Sequence, residues 1–104
     1  MSESELAVSR SVIRDLVSMA ALEVPGVVRV GWAGPPWRLL FSGKPIAVRV
    51  RHGVVDARVV VIARPGQALG PLAADVGSAV SAAIERLLGL ELGQVTVRID
   101  GSGG

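Results

Sequence analysis

The order of periodic segments in this 104-residue chain predicts an α+β fold, a two-layer sandwich in which two helices cover one face of a small mixed or antiparallel sheet. Residues 9–24 and 71–88 carry apolar residues at helical spacing, and residues 27–30, 46–64 and 94–99 alternate as strands do. Two helices with one apolar stripe each can bury that stripe against a single sheet. The predicted order is therefore α-β-β-β-α-β, with a short strand before the first helix as an option.

The first helix is predicted from its apolar stripe and from signals at both ends. Residues 5–8 form the optional extended segment, and Ser9 after them is a good N-cap residue. Pro25-Gly26 ends the helix, because the residue before a proline disfavours the α conformation. The stripe follows the helical repeat and consists of Ile13, Leu16, Val17, Ala20, Ala21 and Val24.

A short strand and a long loop are predicted next. Residues 27–30 form the strand, with Val28 and Val30 on one face and Arg29 on the other. Residues 31–45 contain Gly-Pro-Pro and Ser-Gly-Lys-Pro, which are typical of loops. Loops of this length in compact domains are more often functional or mobile than inert.

The clearest local pattern is a hairpin over residues 46–64. His52-Gly53 has the chemistry of a two-residue turn, because Gly accepts positive φ. The resulting register places Arg49 opposite Asp56, which predicts a cross-strand ion pair. The face towards the helices carries Ile46, Val48, Val50, Val55, Ala57, Val59 and Val61, and the outward face carries Arg49, Arg51, Asp56, Arg58, Val60, Ile62 and Arg64.

A second helix and a last strand complete the predicted domain, which spans residues 5–101. Pro71 suits the first turn of the helix and Gly89 its end. Residues 94–99 form the last strand, and residues 102–104 form a flexible tail. The stripe of the second helix consists of Leu72, Val76, Val80, Ala83, Ile84 and Leu87.

Composition excludes several classes of protein. The chain has no cysteine, which excludes disulfide frameworks and cysteine-ligated metal centres. No segment approaches the roughly 20 apolar residues of a membrane-spanning helix, and the acidic N-terminus is unlike a secretion signal. We therefore expect a cytoplasmic protein. The pI of 10.4 overstates its basicity, because a net charge of +2 suffices when almost nothing titrates above neutral pH.

Catalytic chemistry is not apparent in the sequence, and we predict no enzymatic activity and no catalytic, cofactor-binding or metal-binding residues. His52 is the single imidazole and lies in a predicted turn, while the carboxylates are scattered. Ser42-Gly43-Lys44 superficially resembles a phosphate-binding loop. That motif requires glycine at the position of Arg38, and Pro45 follows the lysine instead of Ser or Thr.

Two surfaces are candidates for binding a partner. One is the outward sheet face, which is either simply solvated, a protein-binding face or a nucleic-acid-binding face, although it lacks aromatic residues on which bases could stack. The other is the loop bearing Trp32 and Trp37, which serve either as interface anchors or as caps on the core. The arginines predicted to gather on the outward face are Arg29, Arg49, Arg51, Arg58 and Arg98.

Three phrases of the sequence resemble the alkaline shock protein family, the Gls24-like envelope stress response proteins. Residues 20–27 read Ala-Ala-Leu-Glu-Val-Pro-Gly-Val, and residues 48–56 resemble the family's central hairpin, with His-Gly where Asp-Gly is usual. Residues 88–92 and 95–99 resemble its closing Gly-Leu and Val-x-Val pattern. The chain departs from the family at Ala-Arg-Pro-Gly in residues 63–66, where Glu-Tyr-Gly is usual, and in lacking the glutamine of the second helix.

The resemblance implies a cytoplasmic bacterial protein linked to cell-envelope homeostasis, with no established enzymatic residues. Some members of the family are held at the inner face of the membrane by membrane-anchored partners and self-associate. We therefore predict a non-enzymatic interaction or scaffold module that needs no cofactor and binds protein partners, with self-association as a further option. The alternative is a small nucleic-acid-binding domain that uses the arginine-rich face, which we rank second.

Overall fold

The computed structural model describes residues 3–34 and 43–102 and confirms the α+β sandwich. Two helices lie on one face of a sheet of four strands, in the predicted order. The second helix continues into one π-helical turn before the last strand. The elements are α1 (Glu3–Glu23), β1 (Val27–Val30), β2 (Ile46–Arg51), β3 (Val54–Ala63), α2 (Leu69–Ala83), the π turn (Ile84–Leu88) and β4 (Glu91–Ser102).

Strand β3 is the centre of the sheet and pairs along both edges. β4 runs parallel to it along one edge, whereas β1 and β2 pair antiparallel with successive parts of the other edge. The change from β2 to β1 falls at Val60, whose N–H donates to the Pro45 carbonyl at 2.8 Å and whose carbonyl accepts from the Gly31 N–H at 2.9 Å. The sheet is therefore mixed, and Gly31, which follows β1, and Pro45, which precedes β2, both bond to the same residue of β3.

The hairpin of β2 and β3 has the predicted register. Arg49 lies opposite Asp56, and the other residue pairs of the two strands keep the same register. Both residues of its turn have positive φ, 50° at His52 and 77° at Gly53. Positive φ at both central residues is the requirement of a type I′ turn, whose twist matches that of the flanking strands.

The core lies between the helices and the inward face of the sheet. The inward side chains of β2 and β4 are half-buried against it, and the predicted stripe of α1 is buried except for the half-buried Leu16. Burial of these aliphatic side chains stabilises the fold by roughly 1.5–3 kcal/mol each. The buried residues are Ile13, Val17, Ala20, Ala21, Val24, Val27, Val55, Ala57, Val59, Val61, Ala63, Leu72, Val76, Val80 and Ile84.

The structure differs from the sequence prediction at the start of α1 and in β1. Residues 5–8 are helical rather than extended, because α1 begins at Glu3. In β1 the pairing with β3 shifts between Val27 and Arg29, and this bulge turns Val28 to solvent instead of the core. A bulge places two successive residues opposite one, so simple alternation fails there.

The end of α2 and the end of β4 also differ from the prediction. Leu87, predicted to continue the apolar stripe, is 68% exposed because the π turn breaks the helical repeat after Ile84. Gly89 ends that turn with φ of 63°, as predicted for a helix C-cap. Ser102, predicted to begin a flexible tail, is the last residue of β4, and the other two tail residues lie outside the described part.

Candidate partner-binding surface

The outward face of the sheet carries all the predicted arginines but spreads them along its length. The register puts one end of the set beside Val54 and the other beside Ile62, which is about 26 Å at 3.3 Å per residue. They therefore do not form one compact cluster. Their positions are Arg29 in β1, Arg49 and Arg51 in β2, Arg58 in β3 and Arg98 in β4.

One end of this face is buried although no helix lies over it. Val60 and Ile62 point away from the helices, yet they are 0% and 2% exposed. Residues 31–34, which follow β1, lead across the face at this end: the Gly31 N–H donates to the Val60 carbonyl, and the Ala33 N–H donates to Asp100 in β4, on the opposite side of β3. We call this end the covered half; its residues are Arg29, Trp32, Val60, Ile62, Arg98 and Asp100.

Trp32 is held on the covered half by three contacts. Its indole Nε1 donates to the Gly43 carbonyl at 3.0 Å, and its own carbonyl accepts from Arg29 Nη2 at 3.3 Å. The guanidinium carbon of Arg98 lies 5.2 Å from the centre of the indole ring, a cation–π distance. The indole is half-buried, so Trp32 closes over the sheet, and Arg29 and Arg98 are both occupied in holding it.

Asp100 fastens the same segment to β4. Its Oδ2 accepts the Ala33 N–H at 2.8 Å, and its Oδ1 lies 3.8 Å from Arg98 Nη2. The side chain of Asp100 is only 11% exposed, so its carboxylate is largely shielded from water, whereas the side chain of Arg98 is 59% exposed. Asp100 was not among the residues predicted for this surface, although an Asp-Gly pair at the end of a strand is a signal for a bulge or turn.

The other end of the face is open to solvent. Arg49, Arg51 and Arg58 are exposed there and form no ion pair within 4.0 Å with any described residue. A shallow groove of about 360 Å³ runs between β2, β3 and β4. We call this end the open half; the groove in it is lined by Ala47, Val48, Arg49, Asp56, Ala57, Arg58, Gln94 and Thr96.

The predicted ion pair between Arg49 and Asp56 is not formed, although the two residues lie opposite each other. Asp56 Oδ1 instead accepts the Gln94 N–H at 2.8 Å. A bulge in β4 turns this amide towards the carboxylate, and a Cβ at Gly93 would overlap Asp56. The carboxylate is thereby bound within the sheet, and the neighbouring guanidiniums stay available to a partner.

The remaining predicted residues lie apart from the open groove or outside the described chain. Trp37 is among residues 35–42, which the structure does not describe. His52 is exposed in the hairpin turn. Arg64, predicted on the outward face, is exposed and donates from Nε to the Pro25 carbonyl at 2.7 Å. Among residues 3–34 and 43–102, no three His, Cys, Asp or Glu side chains lie together as metal ligands would.

The solved structures similar to this chain share its fold. They include several variants of the MamM CTD, one of which has a TM-score of 0.57 and 18% identity over 88% of this chain and 95% of that one. A zinc form gives 0.59 and 17% identity over 90% and 87% of the two chains. A nickel form gives 0.58 and 17% identity over 89% and 99%. At identities this low, the likeness shows the fold alone.

A family model identifies the chain more specifically. No curated protein matches it, and no described helix is long and apolar enough to cross a membrane. The model of the alkaline shock protein 23 family, however, matches residues 1–102, which is nearly the whole chain. This match agrees with the resemblance of the hairpin and of the phrases around both helices. The chain therefore belongs to the alkaline shock protein 23 family, whose function is related to the cell envelope.

Proposed function

We propose that the protein is a non-enzymatic interaction module for cell-envelope homeostasis, and that the open half docks an acidic surface of a partner protein. Its family supports the envelope context. The exposure of Arg49, Arg51 and Arg58, which have no carboxylate partner among the described residues, supports the docking surface. The partner would be a membrane-anchored protein that holds this chain at the cytoplasmic face of the membrane.

Guanidinium chemistry suits such a surface. Each arginine presents a planar set of donors that matches a carboxylate in bidentate geometry. Arg49 and Arg58 both line the groove, so an acidic side chain entering it would meet donors from two strands. Complementary charge of this kind contributes to the rate and specificity of association more than to affinity.

The groove itself gives little support to a catalytic role. Its one acidic lining residue, Asp56, already accepts the Gln94 amide, and no imidazole lines it. We therefore propose binding, without chemistry, as the task of this surface.

Co-purification tests the docking surface directly. The tagged wild-type chain, an Arg49→Glu/Arg58→Glu variant and an Arg10→Glu/Arg14→Glu variant would be expressed in the native host and recovered from cytosol and membranes. The second variant makes the same change in net charge on α1. We expect only the first variant to lose membrane recovery and its acidic partners. Equal recovery of all three chains contradicts the proposal.

Nucleic acid is the second candidate, because the same unpaired guanidiniums could bind phosphates. Phosphate contacts would make the affinity fall steeply with salt. Gel shifts of the purified chain with single-stranded RNA and duplex DNA at low salt decide this point. Binding that is abolished by Arg49→Glu/Arg58→Glu would favour nucleic acid over an acidic protein, and no shift at low salt would exclude it.

A further inference from the structure

One edge of the sheet is formed by β2, and no described strand lies beside it. β2 pairs with β3 along one side, and α1 packs over it in the helical layer. On its other side no strand of the described residues pairs with it. An edge strand keeps one row of N–H and C=O groups without a ladder partner. We call this row, along Ile46–Arg51, the free edge of β2.

The ladder with β3 shows which residues carry the unpaired groups. The Val60 N–H donates to the Pro45 carbonyl, so these two residues form a hydrogen-bonded pair. Bonded and non-bonded pairs alternate along an antiparallel ladder, and the register from Ile46 to Arg51 is unbroken. The backbone groups directed away from β3 are therefore those of Ile46, Val48 and Val50.

The inward side chains of these three residues mark the place where the core ends. They are half-buried, whereas the β3 residue opposite each of them is at most 5% exposed. Apolar surface thus remains partly uncovered along the free edge. Apolar side chains of an added strand would lie beside it and remove it from water, which stabilises binding.

The outward side chains of β2 select the charge of an added strand. Arg49 and Arg51 are exposed and form no ion pair with a described residue. Residues placed opposite them would form non-bonded pairs, in which side chains approach most closely. Opposite charges at such positions attract and like charges repel. A second copy of β2 would bring arginines close to arginines, whereas carboxylates complement them.

From these features we infer that the acidic partner binds as an extended segment, which adds an antiparallel strand to the free edge of β2. Its apolar side chains lie beside Val48 on the helical side, and its alternate carboxylates pair with Arg49 and Arg51. Main-chain hydrogen bonds supply affinity in this mode, and the alternating side chains supply specificity. The inference rests on the proposed docking at the open half and specifies the conformation and sequence pattern that the open half recognises.

Backbone methylation of a synthetic peptide tests the added strand. The probe is a capped heptapeptide of alternating valine and glutamate, titrated calorimetrically into the purified full-length chain. Residues opposite each other share a side of the sheet, so the valines are the residues whose N–H groups reach β2. We expect N-methylation of two valines to raise the dissociation constant at least about tenfold and N-methylation of two glutamates to leave it unchanged.

Charge reversal on the protein tests the arginine contacts. Arg51→Glu should weaken binding of the peptide about tenfold, since it replaces an attraction with a repulsion. Arg51 is not among the residues that line the groove, so this loss is specific to a strand along β2. Arg86→Glu, which makes the same charge change at an exposed residue of the π turn, should leave the dissociation constant unchanged.

A second peptide separates strand addition from attraction by net charge. It has the same composition, with its valines in one block and its glutamates in another, and it should bind at least about tenfold more weakly. Equal binding of the alternating and block peptides contradicts the inference.

Three further results overturn it: no binding of the alternating peptide at millimolar concentration, equal affinities of the two methylated peptides, or tighter binding of the valine-methylated one. A free edge already occupied by a second copy would give the first result. Each of them leaves the docking of an acidic partner standing, because co-purification with Arg49→Glu/Arg58→Glu tests that docking whatever the conformation of the partner.

Discussion

The covered and open halves of the outward sheet face share the same strands but differ in what happens to their arginines. In the covered half, Arg29 and Arg98 hold Trp32 across the sheet, and Val60 beneath that segment is completely buried. In the open half, Arg49 and Arg58 flank a groove and have no carboxylate partner among the described residues. Identical alternation along a strand therefore predicts which face a side chain occupies, but not whether solvent or a partner can reach it.

The largest expected effect on stability tests the difference in burial between the covered half and the open half. Val60→Asp would place a charge with no partner at a fully buried site and should lower the free energy of unfolding by about 3–5 kcal/mol. Arg58→Asp, two residues earlier on the same face, should change it by less than about 0.5 kcal/mol because Arg58 is exposed. Chemical denaturation followed by circular dichroism measures both values. Similar losses for the two variants would show that the halves do not differ in burial.

A second substitution tests the close packing of β4 against β3 in the open half. Gly93→Ala would bring a Cβ into Asp56 and within 2.9 Å of Val54 Cγ1, so we expect a loss of about 1–3 kcal/mol in the free energy of unfolding. Gly70→Ala in α2 is the control, because its Cβ would meet nothing within 4 Å. The same denaturation experiment applies, and a stable Gly93→Ala variant would mean that the bulge can shift without cost.

The contacts of Asp100 with Ala33 and Arg98 in the covered half are expected to contribute less to the free energy of unfolding. Asp100→Ala removes the acceptor of the Ala33 N–H and the ionic partner of Arg98, which should cost about 1–2 kcal/mol. Asp100→Asn keeps an acceptor and should lose less. Proteolysis of the segment after β1 gives an independent measure, since releasing it should speed cleavage there in the alanine variant. Unchanged stability and unchanged cleavage would show that Asp100 does not hold the residues after β1 in place.

The smallest effect concerns the indole of Trp32. Trp32→Phe keeps an aromatic ring near Arg98 but removes the N–H that bonds to the Gly43 carbonyl, so we expect a loss of about 0.5–1 kcal/mol. In a Trp37→Phe background Trp32 is the single fluorophore, and its emission should be blue-shifted relative to the denatured chain. Emission at the wavelength of free tryptophan would place the ring in solvent and contradict its position over the sheet.

The fold followed from local patterns wherever residues next to each other in sequence decide the structure. The hairpin register was predictable because a two-residue turn with a glycine fixes which residues oppose each other. The helix stripes were predictable from their spacing, up to the π turn that turns Leu87 outward. Bulges and π turns add a residue to a regular repeat. The local sequence of β1 and of α2 did not indicate either of them.

The candidate surface was predictable only in part. The sequence placed all five arginines on the outward face, and the structure agrees. The sequence did not separate Arg29 and Arg98, which contact Trp32, from Arg49, Arg51 and Arg58, which form no ion pair with a described residue. It also paired Arg49 with Asp56, whereas the carboxylate binds the Gln94 amide. The contact of Arg98 with Trp32 and the bond between Asp56 and Gln94 both arise from β4, which lies beside β3 in space but far from it in sequence. The contact of Arg29 with Trp32 is local and spans only three positions.

The sequence by itself determined the order of the elements, the faces of the strands and the absence of cysteine chemistry, because composition and short-range periodicity are properties of the chain alone. Tertiary structure alone decided which part of the outward face is closed. That outcome depends on Asp100 and Arg98 reaching residues of the segment after β1, contacts that span up to 67 positions. Contacts over such distances form only when the sheet brings its edges together, and they leave no periodic trace in the sequence.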